Sequence, residues 1–338
     1  MEEFELKDFN KRIGLNVELK EISKIICRKY GIGEFIDNKI IEIGYEDYNY
    51  VLVTTMNKYC VKIFNIEREE ENLKEYLHRI EEVAKTEINT PKPIKINEKV
   101  YLRLEYSGNI YTICVFEYID GNNFFELNIK PSEEEIKELA RQTALINKMK
   151  IDVNFIYDSW AIINFEKEYK KKRRFLDEKT QKEFDLLLEE FQSLEIERLP
   201  KGFVHGDIIT TNVMKDRNKK LWIIDFAVSN YLPRIIDLAI LACNLCLNLD
   251  SKEKSINNIL ILLNEYNRYN KLEKYELENF HIFYKLANAM HIMSTIYIIA
   301  TEGDSDENQY WLNEGKKGME FSESLRDEMH VFIDNRTN

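Results

Sequence analysis

The sequence lacks a basic surplus: 60 Asp and Glu residues stand against 48 Lys and Arg, a formal charge of −12 at pH 7. Non-specific binding to phosphate backbones needs an excess of Lys and Arg on at least one face, so no nucleic-acid partner is expected. An acidic balance suits cationic or zwitterionic partners, and it also simply keeps a protein soluble. A disulfide framework is missing too. The five cysteines, Cys27, Cys60, Cys114, Cys243 and Cys246, are odd in number, scattered, and mostly set in apolar runs, which reads as reduced core thiols. Cys243 and Cys246 form a CxxC, but no second Cys/His pair is placed to complete a zinc site. The opening MEEFELKDFNKR has no apolar signal region, and no stretch approaches the ~18 uninterrupted apolar residues of a membrane span. Internal repeats and low-complexity tracts are absent as well. These absences predict a cytoplasmic globular protein without a membrane partner.

What is present is enough chain and apolar matter for two cores. The 338 residues exceed what one hydrophobic core usually organises, so two lobes are expected. Hydrophobic residues make up 44% and charged residues 32%, and 18 Phe with 19 Tyr predict an aromatic-rich interior. Apolar residues at helical spacing (Leu19, Ile22, Ile25, Ile26) predict a helix across Val17–Tyr30. KIIEIGYEDYNYVLVTT and KYCVKIFN, separated at Met56–Lys58, read as an antiparallel meander. EREEENLKEYLHRIEEVAK places Leu73, Leu77, Ile80 and Ala84 on one stripe and is closed by Thr90–Pro93. VYLRLEYS and IYTICVFEYI, joined through Gly108–Asn109, add two strands.

After Asp120–Gly121 the pattern turns helical, and the division is set at residues 1–118 and 119–338. Ser132 with Glu135 forms a capping box that opens a helix presenting Ile136, Leu139, Ala140 and Ile146 inward. The basic run YKKKRRF at Tyr169–Phe175 sits among Glu166, Glu168, Asp177 and Glu178 and reads as a solvated helix face.

The chemistry concentrates between Phe203 and Ile240. His205-Gly206-Asp207, then Asn212, then an apolar strand ending in Asp225-Phe226, then Asp237-Leu238-Ala239, sets three acids and an amide at strand and loop ends. Taken singly, each has a bland reading, since Asp and Asn commonly cap helices and shape turns. The ordered set points instead to phosphoryl transfer, which needs an oriented acceptor hydroxyl, held phosphates and neutralised charge. Asp207 is the candidate base for the acceptor hydroxyl. Asn212 and Asp225 are the candidate Mg2+ ligands, both presenting the hard oxygens that ion prefers. His205 reads as structural, its imidazole bonding to backbone, and Asp237 as a brace for the loop.

This segment resembles the catalytic core of the aminoglycoside phosphotransferase and choline kinase superfamily, whose shared pattern is HGD, a downstream Asn, IDF and DLA. The resemblance implies an α+β, bilobal protein-kinase-like fold: an N-terminal lobe with an antiparallel sheet and one main helix, and a mostly helical C-terminal lobe. It implies ATP and Mg2+ as cofactors. Val61-Lys62-Ile63 looks like the family's VLK, so Lys62 would meet the α- and β-phosphates. Glu81 is the choice for its acid partner, with Glu69, Glu70 and Glu75 competing. Val115–Gly121 looks like the hinge, where backbone groups of Glu117 and Ile119 would meet adenine. Three positions depart from the pattern. The loop Ile43–Asn49 has one glycine where protein kinases have several, Ala227 follows Asp225-Phe226 where many relatives have Gly, and Asn147 stands where many have His.

Gly44–Thr55, Asp237–Asn248 and Glu307–Phe321 look most like the homoserine and hydroxylysine kinase branch. The expected activity is therefore ATP-dependent transfer of the γ-phosphate to a hydroxyl of a small amine or amino-acid-like acceptor. An aminoglycoside acceptor, a protein serine/threonine acceptor and a non-catalytic pseudokinase follow as alternatives. Oligomeric state, ATP against GTP and acceptor identity are not legible in the sequence.

Overall fold

The computed structural model describes residues 15, 18–41 and 47–337, with side chains to 334. Most of the expected nucleotide-covering loop, Ile43–Glu46, lies outside the described residues. The chain divides into two compact units, Met1–Gly121 with Asp216–Asn218, and Asn122–Lys215 with Lys219–Asn338.

In the first unit, helix α1 (Leu19–Tyr30) is followed by strands β1 (Phe35–Ile41), β2 (Tyr48–Thr54) and β3 (Lys58–Ile63). Helix α2 (Glu70–Ala84) and strands β4 (Leu102–Tyr106) and β5 (Asn109–Glu117) complete it. The strands form one sheet in the order β1-β2-β3-β5-β4, with every neighbouring pair antiparallel. β2 alternates as its sequence does: Tyr48, Tyr50, Leu52 and Thr54 are buried and the residues between are half-exposed. Ile22 and Ile26 of α1 pack into the same core as Tyr50, Leu52, Val61, Ile113 and Val115. Burying each such side chain contributes roughly 1.5–3 kcal/mol. α1 stops at Gly31, whose φ of 66° is the left-handed cap that glycine adopts without a Cβ clash.

Helix α2 differs from the expected stripe. Leu73, Tyr76, Leu77, Arg79 and Val83 are buried, whereas Ile80 and Ala84 are only half-covered. On its buried side Tyr76 packs edge-on against Phe64, and Arg79 goes inside with Glu75, one turn back, at 3.4 Å.

In the second unit, a short strand β6 (Gly121–Asn123) at the division leads into helices α3 (Phe124–Leu127), α4 (Glu133–Asn147), α5 (Phe165–Lys172) and α6 (Glu178–Gln192). Hairpin strands β7 (Lys201–Val204), β8 (Val213–Asp216), β9 (Leu221–Ile223) and β10 (Asn230–Pro233) follow. Helices α7 (Ile235–Leu241), α8 (Lys252–Tyr269), α9 (Lys274–Glu302) and α10 (Asp306–Thr337) close the chain. β10 pairs with β7 and β8 with β9, both antiparallel. α4 begins at the expected capping box: Ser132 accepts from the Glu135 N–H while Glu135 accepts from the Ser132 N–H.

One expectation is corrected here. The basic run is not uniformly solvated: Tyr169 and Lys172 are buried, with Lys172 paired to Glu168 at 2.8 Å and donating to the Ser294 hydroxyl. A lysine can sit there because its counter-charge, one helical turn back, goes inside with it. And α9 is long and apolar enough, by length and composition, to cross a membrane, although most of it is buried inside the protein. Its apolar stretches are broken by Lys285, Asn288, Ser294 and Thr295, all buried, which is why no uninterrupted run signals it.

Candidate active site

Asp207 and Asn212 sit on the loop between β7 and β8, and Asp225 sits just past β9. The loop is shaped by its own polar groups. Gly206 has a φ of 84°, a left-handed conformation that suits a residue without a Cβ. Asp237, on α7, is fully buried and accepts from the N–H groups of His205 at 3.0 Å and Gly206 at 2.8 Å, and from the Asn147 amide at 2.7 Å. Asn147 also donates to the Phe203 carbonyl and accepts from the Tyr266 hydroxyl. The residue that departs from the family's His therefore keeps a bracing place in this chain, and sequence reasoning assigned it none. Burial pushes the Asp237 carboxyl up to about 6, and its three donors oppose that rise.

His205 shows its tautomer by its partners. The Asp207 N–H donates to Nδ1 at 3.1 Å, so Nδ1 is an acceptor and the ring proton sits on Nε2, which reaches the Ile224 carbonyl at 3.2 Å. Burial lowers its pKa to about 4, against the pull of Asp225, so the ring is neutral at physiological pH. Phe226 packs on it with ring centroids 4.4 Å apart. One imidazole thus ties the loop carrying Asp207 to the strand end carrying Asp225.

Asn212 makes the second tie. Its Nδ2 donates to Asp207 Oδ2 at 2.6 Å and to the Asp207 carbonyl at 3.1 Å. Its backbone carbonyl accepts from the Ile224 N–H at 3.0 Å, one residue before Asp225. Committing the amide nitrogen to Asp207 turns the Asn212 Oδ1 into the group offered elsewhere. Asp225 is exposed and has a φ of 67°, a left-handed conformation that Asp tolerates better than most side chains. Its Oδ1 accepts from the Ala227 N–H at 3.3 Å. Among the described residues no cluster of three or more His, Cys, Asp and Glu side chains forms a protein-only metal cage. An exposed carboxylate and a carboxamide oxygen, on segments joined by the Ile224–Asn212 backbone hydrogen bond, suit instead a hard divalent cation that completes its shell with phosphate and water.

In the first unit, Lys62 lies on β3 between Val61 and Ile63, both buried in the core. Strand alternation puts its side chain on the opposite face. There its Nζ meets Asp47 at 3.4 Å and stands over the Tyr76 ring at 5.4 Å. Both carboxylate oxygens of Asp47, which is almost wholly buried, accept from the Arg68 guanidinium at 3.1 Å, and Oδ1 also accepts from the Asn65 N–H. Glu81, the acid that the sequence reading chose for Lys62, is half-buried on α2, and Asp47 is a further acid at Lys62 that the reading did not name. No spacing rule could have singled it out, because it reaches Lys62 across the β2–β3 pairing. At the end of β5 the Glu117 N–H donates to the Lys92 carbonyl, and the Ile119 carbonyl accepts from the Gly121 N–H.

Residues 37–257 match the family model described as "APH: Phosphotransferase enzyme family". The chain is 27% identical over 222 residues to a homoserine kinase of Methylobacillus flagellatus, covering 65% of this chain and 67% of the relative. Among solved structures, an amicoumacin kinase in complex with AMP-PNP, Ca2+ and Ami matches with a TM-score of 0.64 at 16% identity, over 92% of this chain and 96% of that one. A microcompartment-associated aminopropanol kinase matches with a TM-score of 0.63 at 12% identity, over 91% and 98%. The fold is accordingly the α+β protein-kinase-like one. The family match covers well over half of the chain, so this protein belongs to the APH phosphotransferase enzyme family and is a small-molecule kinase.

Proposed function

We propose that the protein transfers the γ-phosphate of ATP to a hydroxyl of a small amine or amino-acid-like acceptor, in the cytoplasm. The observation that carries the reading is the 2.6 Å contact between Asn212 and Asp207, on a loop bonded through Asn212 to the strand end that bears Asp225. Five free cysteines fit a reducing compartment. The acceptor class is supported by the homoserine kinase relatives.

In this reading Asp207 orients the acceptor hydroxyl and takes its proton as the new O–P bond forms and the bond to the departing ADP breaks. Asn212 fixes the Asp207 carboxylate with its nitrogen and, with Asp225, would hold Mg2+ through oxygen. When bound, that ion supplies neutralisation of the phosphate charge. Lys62 would hold the α- and β-phosphates, with Glu81 kept as its candidate helix acid, and the Glu117 carbonyl with the Ile119 N–H would meet the adenine edge. His205 and Asp237 position the loop without touching substrate.

The test is a coupled ADP-release assay with Mg-ATP across homoserine, hydroxylysine, choline, methylthioribose and aminoglycosides. Turnover with a hydroxylated amine or amino acid supports the reading. Turnover confined to aminoglycosides, or none with any acceptor despite bound Mg-ATP, contradicts it.

A further inference from the structure

The second unit holds a buried polar cluster that the chemistry of the catalytic loop leaves unused. Lys130 Nζ donates to Glu314 Oε2 at 2.6 Å and to the Asn244 carbonyl at 2.8 Å, joining residues from the α3–α4 connection, the turn after α7, and α10. Glu314 is 2% exposed and Asn244 1%. Lys130, with a quarter of its side chain accessible, is the open side of the pair.

The cluster is short of donors. Among the described residues, Glu314 Oε1 and Asn244 Oδ1 are both buried acceptors without a hydrogen-bond partner. The Asn244 amide is fixed the right way round, because its Nδ2 donates to the Ile240 carbonyl at 2.9 Å. A stable interior satisfies such atoms, and a buried ion pair by itself is weak support for stability, so two orphaned acceptors around one ion pair leave room for a partner that brings donors. A group bringing several N–H donors to two acceptors is an ammonium. The lysine adds the other half: its ammonium donates to Glu314 and Asn244 and stands against the Tyr310 phenol, and its positive charge attracts an anion and repels a purely cationic guest.

The cluster adjoins the catalytic loop. The Phe125 N–H donates to the Thr210 carbonyl at 3.2 Å, two residues before Asn212. The buried Thr210 hydroxyl approaches the Tyr310 phenol without forming a well-made hydrogen bond. Tyr310 packs edge-on against Phe125 at 5.1 Å and lies under Lys130 at 5.9 Å.

We propose that Lys130 and Glu314 determine acceptor specificity, Glu314 with Asn244 taking the ammonium and Lys130 the carboxylate of a hydroxy amino acid bound as its zwitterion. The inference rests on the kinase reading above and deepens it, by excluding amino alcohols and polycationic acceptors as preferred substrates.

The test is calorimetric binding of three ligands that differ by one charged group: L-homoserine, 3-amino-1-propanol without the carboxylate, and 4-hydroxybutyrate without the amine. The wild-type protein should bind each truncated ligand at least about tenfold more weakly than homoserine, the value of one charge-assisted hydrogen bond. Lys130→Met should abolish the preference over 3-amino-1-propanol alone, and Glu314→Gln the preference over 4-hydroxybutyrate alone. Lys130→Arg should retain the first preference, which separates charge recognition from a packing defect. Equal binding of homoserine and 3-amino-1-propanol by the wild type, or ratios unchanged in both neutral variants, overturns the inference. Preferred phosphorylation of 3-amino-1-propanol overturns it too while leaving the kinase reading intact. The predicted binding ratios without any phosphate transfer would leave this site standing and overturn that reading instead.

Discussion

The loop around Asp207 and the cluster around Lys130 are both polar and largely buried, yet they treat their hydrogen-bonding groups in opposite ways. In the loop, Asp237 answers three donors, His205 uses both ring nitrogens, and Asn212 ties side chain to side chain and strand to loop. Around Lys130, Glu314 Oε1 and Asn244 Oδ1 have no hydrogen-bond partner among the described residues. A satisfied network fixes geometry before any ligand arrives, as phosphoryl transfer requires of its base and metal ligands. An unsatisfied one holds its capacity in reserve for what is bound.

The comparison breaks first at Asp237. Asp237→Ala would orphan two backbone N–H groups and the Asn147 amide, and should cost on the order of 3–5 kcal/mol, read as a lower urea midpoint. A loss under about 1 kcal/mol would mean that the loop is not held by this carboxylate. Glu314→Gln keeps the shape of a side chain whose Oε1 is already unmatched, so its cost in stability should be clearly smaller in the same measurement.

Next in size is a pH effect with a definite sign. His205 has a folded pKa of about 4 against an ordinary 6.5, so the unfolded chain binds the proton first as acid is added. Its contribution is present above pH 6.5 and lost as pH falls toward 4, about 3 kcal/mol in all. Asp237, raised to about 6, acts the other way: its contribution is present below 3.8 and lost as pH rises through 6. The two offset each other between pH 4 and 6. His205→Gln should therefore gain on the wild type by about 2 kcal/mol between pH 7 and pH 4.5 in urea titrations, and a constant gap would refute a buried neutral imidazole.

The smallest expected effect calibrates the others. Ser132→Ala removes one N-cap at the start of α4, away from both networks, and should cost about 1 kcal/mol with the acceptor preference untouched.

Legibility in the sequence followed the same division. The strands of the first unit and the capped helix at Ser132 were readable because alternation and capping act over a few residues. His205, Asp207, Asn212, Asp225 and Asp237 could be picked out as candidates because they fall within one short stretch of chain in a fixed order. Asp47 was missed because it meets Lys62 across a strand pairing, and Asn147 because its partners Asp237 and Tyr266 come from distant helices. Lys130 and Glu314 lie 184 residues apart, and nothing local marks either one. The basic run at Tyr169–Phe175 misled for the opposite reason: local charge density says nothing about which lysine turns inward to meet Glu168.

The most direct measurement of the central claim is single-turnover phosphate transfer to the best acceptor by Asp207→Asn, with its melting temperature taken alongside. The account predicts a loss of roughly 10²–10⁴-fold in rate, the share of a general base, with melting within a few degrees of wild type, since Asp207 is half-exposed. Transfer at a wild-type rate by a folded Asp207→Asn protein would contradict it.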